Sequence, residues 1–179
     1  MPNDRDIDAP INFAGLWPDS DDEEEAFVDN GEEQIVEVCG VDLKVRQYAY
    51  HSHNANRVWP GTFNLCEYYL SPSPPTGCLS DLKGKRVLEL GTATGLLALR
   101  MSMSGVSNIV TSDVSDGGLV RDNVLFNFSL NKVPPVPHLE HTWGTGWGGG
   151  RFDVVLASDI LLYVAAYDAL VKTLGEVGG

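Results

Sequence analysis

The chain has 179 residues, 43% of them hydrophobic, and a formal net charge of −13, enough for one domain with a real core and short for two. No apolar run approaches the roughly 18 residues that cross a bilayer, and the start MPNDRDIDAP lacks the basic and apolar regions of a signal peptide. An intracellular protein is expected, in the cytoplasm or also in the nucleus, with no membrane partner.

The charge is concentrated at one end. Residues 1–33 hold twelve acidic side chains and one arginine, so the rest of the chain is close to neutral. With DSDDEEE at 19–25 unable to bury itself, residues 1–33 read as a disordered acidic tail ahead of a domain over 34–179. Deleting the tail is expected to leave the melting temperature nearly unchanged. A near-neutral body without a Lys/Arg stripe argues against nucleic acid as the main ligand.

In chain order, QIVEVCGVDLKVRQ (34–47) alternates apolar and polar around Gly40-Val41-Asp42 and predicts a β-hairpin covering one edge of the fold. VWPGTFNLCEYYL (58–70) places Phe63, Cys66 and Leu70 at helical spacing behind the Pro60-Gly61 break. After a Pro/Gly/Ser loop at 71–85 come RVLEL as a strand, GTATG as a loop, LLALRMSM as a helix, SNIVTSD as a strand and GGLVRDNVLFNFSLN as a helix. This alternation predicts a parallel sheet with helices on its faces and right-handed crossovers. HLEHTW (138–143) reads as a short strand, GTGWGGG as a loop, and RFDVVLASDI (151–160) as a fully buried strand. VAAYDALVKTL (164–174) reads as a helix with Val164, Tyr167, Leu170, Val171 and Leu174 on one face.

The loop GTATG at 91–95 is poorly made for phosphate. It has Gly91 and Gly95, but alanine at 93 and leucine at 96 break the G-x-G-x-x-G dinucleotide fingerprint, and no Gly-Lys-Ser/Thr ends it as in a P-loop. Instead Glu89 precedes the loop and Asp113 ends the next strand. Carboxylates repel phosphate and suit an ammonium group and a ribose diol, which S-adenosylmethionine carries without any phosphate. Cys39, Cys66 and Cys78 show no ligand spacing and read as reduced thiols, so no metal site is expected. His51 and His53 lack a third ligand and read as loop residues. Asn123 and Asn127, on one helical face, read as capping or packing.

Over about residues 34–174 the chain resembles class I, seven-β-strand, S-adenosylmethionine-dependent methyltransferases, and within them methyltransferase family 16, the lysine-methyltransferase-like branch. VLELGTATGLLAL is similar to that family's first motif, NIVTSD to its acidic second strand, HTWG to its adenine-flanking segment, FDVVLASDILLY to its fourth strand and following motif, and VWPGTFNLCEYYL to its VWP-type helix. The resemblance implies a Rossmann-like sheet with helices on both faces behind a β-hairpin, S-adenosylmethionine as cofactor, and transfer of its methyl group to a lysine side chain of a protein substrate. A small amine as acceptor, and a truncated, non-catalytic binding protein, are the alternatives.

It implies roles as well. Gly91, Thr92 and Gly95 would let backbone approach the methionine moiety, with Glu89 receiving its ammonium directly or through water. Asp113 would accept both ribose hydroxyls. Trp59 and Trp143 would wall the adenosine, and Ala157 and Ser158 would lie at the ligand end of the fourth strand. Asp159 and Tyr163 would line the acceptor channel and carry the catalytic roles, although the chain has D-x-x-x-Y where the family has D-x-x-Y. Members of the family continue into strands five to seven, and this sequence stops at GEVGG. The 179-residue form is therefore expected to turn over poorly and to self-associate through an open edge, a complete form being monomeric.

Overall fold

Val87–Leu90 (β3) and Ile109–Asp113 (β4) have every residue buried, as central strands with helices on both faces require. The structure, a computed structural model, describes residues 31–71 and 78–178; the acidic segment 1–30 and residues 72–77 of the Pro-rich loop lie outside them. β3 and β4 pair in parallel with each other and with two short outer strands, β5 (His138–Glu140) and β6 (Val154–Leu156), in the order β5-β4-β3-β6. Helices α2 (Leu96–Met103) and α3 (Leu119–Leu130) connect β3 to β4 and β4 to β5, and α4 (Tyr167–Val177) follows β6. The order reverses between β3 and β6, which makes the carboxyl ends of these strands the place where an open α/β sheet takes a ligand. Among the described residues no helix is long and apolar enough to cross a membrane.

Strand alternation divides the core in two. Val87 and Ile109 pack toward Leu97, Leu99, Val124 and Phe128, whereas Leu88, Leu90 and Val110 pack toward Phe152, Leu170 and Val177. The expected strand 151–160 shrinks to three residues, two of them only half-buried, because β6 lies at the sheet edge. Phe152 meets the chain again at Gly178 through one isolated parallel bridge. The face expected for α4 differs from the one observed: Leu170, Thr173 and Val177 point inward, while Val164 and Val171 are 76% and 66% exposed. Thr173 is drawn in by its hydroxyl, which accepts the Gly144 N–H at 3.1 Å and meets His141 Nε2 at 3.0 Å.

The hairpin of β1 (Glu32–Val38) and β2 (Val41–Gln47) begins two residues before the expected boundary. It turns on Cys39 and Gly40, both at positive φ, as the two-residue turn that matches strand twist demands. It does not extend the main sheet but lies against α3, held by Asn123, Asn127 and Asn131. Asn127 Oδ1 accepts the Arg46 N–H (2.7 Å), and Asn131 Oδ1 accepts that of Lys44 (2.9 Å). Asn127 Nδ2 donates to Thr94 O (2.9 Å) and Asn131 Nδ2 to Lys44 O (2.7 Å). The helix thus pairs with the outer edge of β2 through side-chain amides, as a further strand would through its backbone, and blunts that edge. Asn127→Ala leaves the Arg46 N–H and the Thr94 carbonyl without these bonds and is expected to destabilise by about 2–4 kcal/mol; urea denaturation checks it, and a loss below 1 kcal/mol would contradict the role.

Helix α1 (Pro60–Leu70) turns Thr62 and Cys66 inward and leaves Phe63 at its edge. Its cap residue Trp59 offers no side-chain bond to the first turn, so that group must come from elsewhere.

Candidate active site

At the switch point a cavity of about 290 Å³ opens, lined from four parts of the chain: Ser52–Ala55 with Trp59, Gly91 and Ala93 with Asp113, His141–Trp143, and Ser158–Ile160 with Leu162, Tyr163, Ala166 and Ala169. Its size sits at the lower end for small-molecule pockets. Of the residues singled out by sequence, Trp59, Gly91, Asp113, Trp143, Ser158, Asp159 and Tyr163 come together here, and Glu89, Thr92, Gly95 and Ala157 do not line it.

The turn after β3 explains the division. Gly91 and Thr92 donate their N–H groups to Ser112 O (2.9 and 3.1 Å), which folds the loop against the end of β4. Gly91 has φ +74, and a Cβ there would meet Ile160 Cγ2 at 2.8 Å, so only glycine fits at the cavity floor. Gly95 is needed for another reason. It too has positive φ (+76), but its missing side chain makes room for Val124 of α3, 2.9 Å from the Cβ position, and not for a ligand. Ala93, where a dinucleotide fingerprint has its second glycine, adopts φ +48. Its N–H donates to Asp113 Oδ2 at 2.8 Å, which offsets the left-handed strain.

Asp113 is 9% exposed and faces the cavity from the end of β4. Its Oδ1 accepts the Val114 N–H (2.8 Å) and its Oδ2 that of Ala93; a carboxylate has lone pairs left over for two further donors. Burial raises its pKa against the pull of those two N–H groups and of nearby His51.

Glu89 lies on the other side of the loop, 3% exposed beneath α2. Its Oε2 accepts the Ala98 N–H at 3.1 Å, the third of the helix, whose cap residue Gly95 has no side chain to do so. The expected ammonium receptor is in this geometry the cap of α2. Burial pushes its pKa from 4.5 to about 8, against the opposing pull of Thr92 and the Ala98 N–H. Thr92 is buried behind the loop. Ala157 packs on the core beneath α4.

Asp159 repeats this device at α1. It stands at φ +52 just after β6, and its Oδ2 accepts the Gly61 N–H at 2.6 Å, in the uncapped first turn of the helix. A Cβ on Gly61 would land on that carboxylate, which accounts for glycine in the segment VWPG. Ser158 Oγ lies 3.4 Å from Thr62 Oγ1 on the same helix. Tyr163 is 60% exposed at the outer end, its hydroxyl accepting from Asn54 Nδ2 at 2.7 Å. Trp59 donates its indole N–H to Asn54 O (2.9 Å) and carries the Arg57 guanidinium over its ring at 4.9 Å.

Asn54, Ala93, His141 and Ile160 line the cavity without having been singled out. The polar cluster AYHSHNANR ahead of VWP is the one signal in the sequence that marks Asn54. His51 is no ligand: its Nε2 bonds Asp116 Oδ2 at 3.1 Å, and Asp116 caps α3 through the Gly118 and Val120 N–H groups. Among the described residues no group of three His, Cys, Asp or Glu could hold a metal ion.

Comparison with known proteins bears on the same region. EEF1A lysine methyltransferase 3 of Xenopus tropicalis is 31% identical over 152 residues, which is 83% of this chain and 64% of that protein. Protein-lysine N-methyltransferase EFM3 of Chaetomium thermophilum is 36% identical over 133 residues, 68% of this chain and 38% of that protein. The chain thus spans less than two thirds of the length of these relatives. A solved structure from Pyrococcus horikoshii, described as a candidate RNA methyltransferase, superposes with a TM-score of 0.53 at 18% identity over 75% of this chain and 62% of its own, a likeness of fold. The family model described as lysine methyltransferase matches residues 39–179, from the hairpin turn through every wall of the cavity. With the parallel sheet, the glycine turn and the acidic end of β4 in place, the chain belongs to the lysine methyltransferase family, whose cofactor is S-adenosylmethionine.

Proposed function

We propose that the protein transfers a methyl group from S-adenosylmethionine to the side-chain amine of a lysine in a protein substrate. The observation that carries this reading is the cavity floor, where a buried carboxylate with lone pairs to spare, Asp113, stands beside the bare backbone of Gly91, which packs against Ile160 of the cavity wall. That acceptor fits a cofactor with a ribose diol and no phosphate. Asp113 would hold the two ribose hydroxyls, Gly91 would admit the ligand against backbone, and Trp59 and Trp143 would present aromatic surface to the adenine. When bound, the cofactor supplies an electrophilic methyl group on a sulfonium.

The protein's part is placement. A lysine amine has a free pKa near 10.4 and must lose its proton before it can attack. The apolar lining of Trp59, Trp143, Ile160, Leu162 and Ala166 would disfavour the ammonium form. Asp159 would orient the amine with Oδ1 while Oδ2 stays on α1, and Tyr163 would line its path, with the proton passing to solvent. Relatives named for lysine methylation support a protein acceptor.

The test is incubation with labelled S-adenosylmethionine and cell extract, followed by hydrolysis of the labelled protein. Methyl-lysine is the expected product. Label confined to small molecules would favour a small-amine acceptor, and label on another amino acid would overturn the lysine assignment.

A further inference from the structure

Asn54 joins three parts of the site. Its N–H donates to His51 O (3.0 Å), its carbonyl accepts from the Trp59 indole (2.9 Å), and its Nδ2 donates to the Tyr163 hydroxyl (2.7 Å), 109 residues further along the chain. It sits at φ +60, a left-handed backbone that asparagine tolerates better than most residues. The turn that aims its amide is itself tied down, for His51 Nδ1 accepts the N–H groups of His53 and Ala55 at 3.2 and 3.4 Å while Nε2 holds Asp116.

Tyr163 has no comparable support from its own neighbours. Leu161, Leu162 and Val164 around it are 65%, 46% and 76% exposed, so little packing fixes the direction of its ring. The segments that the Asn54–Tyr163 bond joins both line the cavity, and the bond lies at its solvent end. We infer that Asn54 is a positioning residue that holds Tyr163 across the mouth of the cavity and sets the aperture through which the methyl acceptor enters. The aperture's purpose rests on the functional reading above; the latch itself does not.

Amide hydrogen exchange of the ligand-free chain tests the latch by reading each variant on the opposite segment. Tyr163→Phe is expected to speed exchange over 51–56 about two- to tenfold, the range of one net hydrogen bond. Asn54→Gly, which keeps the left-handed backbone, is expected to do the same over 160–166. The double variant should exchange no faster than the singles, since both remove one bond. S-adenosylhomocysteine, followed through the change in tryptophan fluorescence on binding, should dissociate faster from each single variant by a similar factor. Changes confined to each variant's own segment, or strictly additive ones, would overturn the latch. A wild-type chain that binds no S-adenosylhomocysteine would overturn the functional reading instead, and the exchange data would still decide the latch.

Discussion

Glu89→Gln is expected to stabilise the ligand-free protein at pH 8 and to leave it nearly unchanged at pH 5. The folded-state pKa of Glu89, about 8, lies above its ordinary value of 4.5 because burial beneath α2 disfavours the charged form. The folded protein therefore keeps a proton that the unfolded chain releases over that interval. The stability this provides is fully present below about pH 4.5 and is lost as pH rises toward 8. At 1.36 kcal/mol per pH unit the loss is at most roughly 5 kcal/mol. Glutamine does not titrate and keeps an oxygen for the Ala98 N–H, so it still caps the helix. Urea denaturation of both proteins between pH 5 and 8 should show the difference growing in favour of the variant. A difference that stays constant would mean that Glu89 is ionised throughout.

Gly91→Ala is expected to lower affinity for S-adenosylhomocysteine at least about tenfold, which is about 1.4 kcal/mol. The left-handed backbone at φ +74 strains alanine by about 1–2 kcal/mol, and its methyl group would press on Ile160, itself a wall of the cavity. Gly95→Ala is the control. Its backbone strain is the same, but the new methyl group meets Val124 between α2 and α3. It should lower the melting temperature while the folded fraction binds nearly as the wild type does. Equal loss of affinity in both variants would contradict the separate roles given to the two glycines.

What could be read in the sequence was what short stretches decide. Four strand-forming residues, a turn bounded by glycine and a helical run place β3, the loop and α2 in order, and Asp113 ends the next strand at the cavity. Residues whose meaning depends on a distant partner were not legible. Glu89 stands at the spacing of a ligand carboxylate, yet α2 lies over it and uses it as a cap. Asp159, just past the end of β6, serves as the acceptor that the first turn of α1 needs. The inward face of α4 includes Thr173 because His141 and Gly144 lie across from it. No periodicity encodes a bond between Asn54 and Tyr163.

Titration calorimetry with S-adenosylhomocysteine, on wild type and Asp113→Ala shown to be folded, tests the placement of the cofactor most directly. Asp113 meets the cavity with both oxygens already oriented by backbone N–H groups, so the proposed ribose contact would be a hydrogen bond to a held carboxylate, with an expected contribution of about 1.5–3 kcal/mol. One site on the wild type is expected, and a Kd raised roughly ten- to a hundredfold in the variant. Binding of equal strength to both proteins, or none to the wild type, would contradict it.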